Sequence, residues 1–197
     1  MTQQQHLILN ITISMSCNDK SNARKLMQDA LDSHIPFTAL YEALLQIHLF
    51  SGYPASIEGL SLLHEVYNEA PASIEEYDVQ LFKQRGEKLC RDIYTTVFEK
   101  MNKRMHSFSP ELSEWMIIDG YGKTLSRAGL DIQTRELINI CILSLGQWKQ
   151  QVISHIRGAL HVDVEIEDIE AAIECLHTIH TNEAYAFAHT MLKEFRS

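Results

Sequence analysis

Helix breakers are scarce in this 197-residue chain, which holds four prolines and eight glycines. So few leave long uninterrupted helical segments. Positive charge is also short, because 17 Lys and Arg stand against 26 Asp and Glu for a net charge of −9. No Lys/Arg-dense face offsets this balance, so nucleic acid is excluded as a partner. No apolar run approaches the length of a membrane span, which excludes a membrane-embedded chain. The opening MTQQQH lacks the basic start and small-residue cleavage site of a signal peptide, so the expected location is cytoplasmic. Cysteine is sparse too. Residues 17, 90, 141 and 175 fit neither zinc-ligand nor thioredoxin-like spacing, and all four are expected as thiols in a reducing compartment. Cys141 and Cys175 fall in apolar helical patterns and read as small hydrophobes, whereas Cys17 and Cys90 lie in more polar surroundings.

What is present points to an all-α protein. Apolar residues make up 45% of the chain, enough for a sizeable core in one domain or two small, intimately packed units. Periodicity and caps predict helices near 7–16, 20–33, 36–50, 55–69, 74–105, 110–122, 132–145, 148–161, 165–180 and 183–195. Ser73 with Glu76 has the form of a capping box. Ser109, Pro110 and Glu111 supply a cap, a first-turn proline and a first-turn acid, and Asp131 and Asp163 are further candidate caps. The β-branched LILNITI of residues 7–13 is the one run that also resembles a strand.

Two polar residues stand out in an apolar stretch: Glu136 in TRELINICILSLG (134–146) and His155 in QWKQQVISHIRGAL (147–160). Glycine at 146 ends the first helical pattern, so two antiparallel helices bring a carboxylate and an imidazole together. Steps of three and four place Trp148, Gln151, Val152, His155 and Ala159 on one face. Glu136 shares its face with Asn139, Ile140 and Leu143. Such mixed faces suit a small pocket, and a buried Glu–His pair that only ties two helices together is the competing reading. Arg127 and Arg135 flank the turn before the first of these helices and are candidates for holding an anion at a pocket mouth. Arg157, two residues from His155, points elsewhere, toward another helix or a neighbouring subunit. His177 and His180, with Glu174, form the only candidate metal cluster; no further ligand stands at motif spacing, so neither metal nor cofactor is expected. The acidic VEIEDIE of residues 164–170 reads as a charged first turn and outer face.

The segment GKTLSRAGLD (122–131), running into TREL at 134–137 and then HIRGAL at 155–160, resembles the carboxymuconolactone decarboxylase family, whose other large branch is the alkylhydroperoxidase D proteins. The likeness covers roughly residues 80 to 197. It implies an all-helical, alkylhydroperoxidase D-like bundle assembled as trimers or hexamers, with Glu136 and His155 as the proton-transfer pair. Beside that pair, the mixed helix faces offer Asn139, Trp148 and Gln151, and the turn offers Arg127 and Arg135, as candidates for binding a small-molecule carboxylate. The peroxidase branch carries Cys-x-x-Cys ending four residues before the histidine; here those positions are Trp148 and Gln151, so the redox pair is absent. Sliding the chain by 129 residues lays Ala30 and Leu31 on Ala159 and Leu160, Ala43 on Ala172, His48 on His177, and Ala55 on Ala184. Residues 1–69 then read as a degenerate, incomplete repeat and 70–197 as the intact domain. Glu136 maps to Leu7 and His155 to Leu26, so the first copy lacks the pair. HLFSGYPA (48–55) keeps a family-like signature, its glycine and proline marking a turn. Doubling predicts a homo-oligomer, with a trimer supplying the six units of a family hexamer, though a hexamer of chains also fits. Three functions follow: a decarboxylase-like enzyme working on an acidic lactone, a thiol-dependent peroxidase, or a non-catalytic oligomer that binds a small acid.

Overall fold

A computed structural model describes residues 1–71, 73–179 and 181–196. Among them the regular structure is all helix, with no strand. The helices are α1 Gln3–Ser16, α2 Lys20–Asp32, α3 Phe37–Gln46, α4 His48–Tyr67, α5 Val79–Tyr94, α6 Phe98–Phe108, α7 Pro110–Trp115, α8 Ile132–Leu145, α9 Lys149–His161, α10 Ile166–Thr178 and α11 Asn182–Arg196. A short 3₁₀ turn, Thr95–Val97, follows α5, and a π-helix, Met116–Leu125, follows α7. No described helix is long and apolar enough to cross a membrane.

The chain divides into two compact units, Met1–Ala72 with Gly129–Ser197, and Ser73–Ala128. This division departs from the expected break between residues 69 and 70. The reason lies in α1 and α8. Past their first turns both are buried nearly all round: Ile8, Leu9, Ile11 and Ile13 on α1 and Leu137, Ile138, Ile140 and Cys141 on α8 are wholly enclosed. A helix without a polar face must be enclosed, and these two enclose one another within a shell of α2, α3, α4, α9, α10 and α11. The β-branched start of the chain is therefore a core helix, because its tertiary setting outweighs its strand propensity.

The four helices of each flank of this unit follow the same plan. α1 and α8 have the same length and start 129 residues apart, and so do α2 and α9. The backbone kinks within α4 at Gly52, whose φ of 79° suits glycine, and Pro54 then restarts the helix. Measured from Tyr53, this second part matches α11 at the same offset. Left-handed residues repeat as well: Asn18 with Gln147, and His34 with Asp163. Asp163 thus forms the turn, and Glu165 precedes α10 in the cap position. Contacts between the flanks are reciprocal. Gln46 touches Arg135, and their counterparts Cys175 and His6 touch one another. Gln5 donates to Thr134, its own counterpart 129 residues on. Reciprocal contacts of this kind are the pattern that a local two-fold axis between two flanks produces.

In the smaller unit, α5 packs against the π-helix through two glycines. A Cβ at Gly86 would strike the Ile117 carbonyl oxygen, and one at Gly122 the Phe82 carbonyl oxygen. Backbones approach this closely only when neither side chain intervenes. The expected capping box at Ser73 and Glu76 does not form. Asp78 caps α5 instead, its carboxylate accepting from the amides of Gln80 and Leu81 at 2.9 and 3.0 Å. The expected helix from 74 to 105 is also broken at Thr95, which takes φ 49° and ψ −125°. The caps at Ser109 and Asp131 form as expected.

Candidate functional site

Glu136 and His155 meet across the α8–α9 pair. His155 Nδ1 lies 2.8 Å from Glu136 Oε2, with the carboxylate wholly buried and the imidazole 5% exposed. Asp131 fixes where α8 starts by capping Thr134 N at 2.7 Å, and so sets the rotation that turns Glu136 inward. The return to α9 runs through Gly146 and left-handed Gln147. Gly146 keeps a backbone that any residue could adopt, but a Cβ there would run into the Trp148 indole nitrogen. The ring of Phe50, from α4, meets the His155 ring edge-on at 5.9 Å.

The pair is the end of a buried polar chain. Glu136 Oε1 accepts from Asn139 Nδ2 at 3.2 Å, and Asn139 Oδ1 accepts from Gln46 Nε2 at 2.7 Å. The same Gln46 nitrogen donates to the Arg135 carbonyl at 3.0 Å. Gln46 Oε1 accepts from the Arg135 guanidinium at 3.1 Å, and that guanidinium pairs with Glu42 at 3.0 Å. Five of these six residues are at most 3% exposed. Buried charges persist only when paired and hydrogen-bonded, and here each carboxylate has found a donor.

The geometry divides the chemistry between the two end residues. Both oxygens of Glu136 are engaged inside the protein. With Nδ1–H donating to that carboxylate, Nε2 is the imidazole atom left to exchange a proton, and among the described residues it has no hydrogen-bond partner.

The remaining expected site residues fall elsewhere. Arg135 does not reach a pocket mouth: it is wholly buried, and its fork is engaged with Glu42 and Gln46. Asn139 serves this polar chain rather than presenting its amide outward. Trp148 is 60% exposed and lies over Gly146, and Gln151 is also exposed. Arg127 belongs to the smaller unit, where it joins Arg85 on Glu75. Arg157 reaches α11, its guanidinium 5.8 Å from the centre of the Phe195 ring. Sequence reasoning missed Glu42 and Gln46. Their signal was present in α3, where two polar residues four apart interrupt the stripe of Ala39, Leu40, Ala43 and Leu44.

The thiols are poorly suited to redox chemistry. Burial pushes Cys141 well above the usual thiol range and Cys175 up to about 11, the opposite of an activated thiolate. Cys90 is buried rather than in the polar setting expected, and Cys17 is exposed. His177 faces Asn182 at 3.0 Å, while His180 lies outside the described residues. Among the described residues no three His, Cys, Asp or Glu side chains converge as a metal site. A scan against protein-family models gives no family that matches the chain. A search of curated proteins gives no match either.

Proposed function

We propose that the chain is a carboxymuconolactone decarboxylase-like protein that exchanges a proton with a small acidic lactone or related carboxylate through His155. The observation that supports this most directly is the buried 2.8 Å Glu136–His155 hydrogen bond, which leaves Nε2 unpartnered. In the proposed step the bond between the carboxylate carbon and the framework breaks, carbon dioxide leaves, and the electron pair stays on the framework. The bare Nε2 of His155 takes up the proton of the acid's carboxyl group and, as carbon dioxide leaves, delivers it to that carbon, returning to the bare form. Glu136 holds the other proton on Nδ1 throughout, as a hydrogen-bonded carboxylate does for a general acid. A thiol-peroxidase function fits less well, since Trp148 and Gln151 replace the cysteines and burial raises Cys141 and Cys175.

The non-catalytic small-acid binder is the second reading, and one observation bears on both. Arg135, the expected anion clamp, is engaged within the core, so a substrate carboxylate needs another partner. The two readings separate in a screen of unsaturated lactone acids and β-keto acids for carbon dioxide release. Loss of turnover by about a hundredfold or more in His155→Ala, with a smaller loss in Glu136→Gln, is the enzymatic result. Turnover unchanged in His155→Ala refutes the role of His155, and no turnover of any acid favours the binder. The proposal extends to assembly as a homo-oligomer, a trimer in its simplest form. Exposed Phe108, Leu112 and Trp115 within one short stretch support it. Light scattering that returns a stable 22.6 kDa monomer excludes that assembly.

A further inference from the structure

We propose that Gln46 and Asn139 are positioning residues that fix the tautomer of His155 through Glu136, and that the N-terminal flank of the larger unit is retained because it completes the C-terminal flank's site. The catalytic meaning rests on the proton-transfer reading above; the positioning itself does not.

The hydrogen bonds of the chain have a direction. Gln46 Nε2 can only donate, so the Asn139 atom facing it at 2.7 Å is the amide oxygen. That orientation turns the Asn139 nitrogen toward Glu136 Oε1 at 3.2 Å. With Oε1 so held, Oε2 is aimed at His155, 2.8 Å from Nδ1. Each link determines the orientation of the next. Arg135 fixes the far end, because its guanidinium on Gln46 Oε1 stops that amide from flipping. The chain therefore reads outward from Glu42 to His155 as one set of constraints whose output is a proton on Nδ1 and a bare Nε2.

The opposite flank lacks most of these residues. At the 129-residue offset, Glu136 and His155 become Leu7 and Leu26, Arg135 becomes His6, and Gln46 and Glu42 become Cys175 and Ala171. The supporting residues are missing wherever the Glu–His pair is missing. Only Asn10 remains, the counterpart of Asn139, and its Oδ1 is buried with no hydrogen-bond partner. The contrast groups Glu42, Gln46, Arg135, Glu136 and His155 as one set, since all five differ from the residue at the counterpart position. It also explains why Glu42, Gln46 and Phe50, all from the N-terminal flank, stand around a site whose reacting group lies on α9.

The test is ¹⁵N-histidine NMR on the full-length chain at alkaline pH, with the His155 signals assigned by their loss in His155→Ala. The wild type is expected to show His155 as the Nδ1–H tautomer. In Asn139→Leu and in Gln46→Met, the Nε2–H form should appear as a substantial share of the population. Asn10→Leu, which removes the corresponding amide in the other flank, should leave the His155 signals unchanged. A wild-type His155 in the Nε2–H form overturns the proposal without any variant, so a variant that fails to fold does not protect it. Retention of a pure Nδ1–H tautomer in folded Gln46→Met overturns it as well. A tautomer that shifts as expected in a protein that turns over no acid sinks the catalytic reading and leaves the positioning intact.

Discussion

Removing one partner of the Glu42–Arg135 pair should cost the larger unit a large share of its stability, and removing both should restore much of it. The two side chains lie 3.0 Å apart and are 3% and 0% exposed, so neither charge can turn to water when the other is lost. Breaking such a pair costs about 3–5 kcal/mol, against a whole-domain stability of about 5–15 kcal/mol. Arg135→Met takes this counter-charge from the Glu42 carboxylate, and Glu42→Leu takes it from the guanidinium. In the double variant Glu42→Leu/Arg135→Met no buried charge is left from this pair. What remains lost is the guanidinium bond to Gln46, whose oxygen then lacks that donor at a cost of about 1–3 kcal/mol. The double variant should therefore be more stable than either single one. Urea unfolding followed by circular dichroism at neutral pH measures all three differences. A double variant that loses the sum of the single losses, or single losses below about 1 kcal/mol, would refute the reasoning, because either result means the pair is solvated or uncoupled.

Three further outcomes are expected. Asn10→Leu should leave the urea midpoint unchanged or raise it, since it deletes a buried acceptor without a partner, whereas Asn139→Leu should lower it by stranding Gln46 and Glu136; equal effects at the two sites would contradict the assignment. Gly122→Ala should loosen the smaller unit by driving a methyl into the Phe82 carbonyl, at a cost of about 1–3 kcal/mol or more, seen as faster proteolysis within residues 73–128; wild-type resistance would show that the close approach is not there. Stability should also fall at alkaline pH. Burial raises Cys175 from 9 to about 11 and Tyr67 from 10 to about 12, so each contribution is intact below the unfolded-state value and is lost as pH climbs through these two windows. Urea midpoints measured up to pH 12 should drop there, and less steeply in Tyr67→Phe; a flat profile counts against both burials.

Much of the fold was legible because helices announce themselves locally. The caps at Ser109 and Asp131 and the breaks at Gly146 and Gly52 are short-range signals, and the bounds of α8 and the start of α9 follow from Asp131 and Gly146 within a residue or two. The segment from 73 to 128 was read less well. Asp78 competes with Ser73 for the same cap and engages two amides rather than one. Thr95 breaks a helix without proline or glycine to mark it. At the site, Glu136 and His155 were visible because adjacent helices carry them. Their support was not, because Gln46 and Glu42 stand about ninety residues away from the residues they hold. Arg135 was assigned to the wrong environment for a related reason: a guanidinium near a turn looks like a surface clamp until its buried partner on another helix is known.

The contact between Gln5 and Thr134 has a consequence for how such a chain can change. Two separate identical subunits place the same residue on both sides of their axis, so a glutamine there faces a glutamine and every substitution is made twice. Joining the copies into one polypeptide lifts that restriction. Position 5 and position 134 can be chosen independently, a donor can be set against an acceptor, and one flank can give up its Glu–His pair while still lending Gln46 and Glu42 to the other. Carrying both flanks on one polypeptide thus lets a single site have a dedicated scaffold.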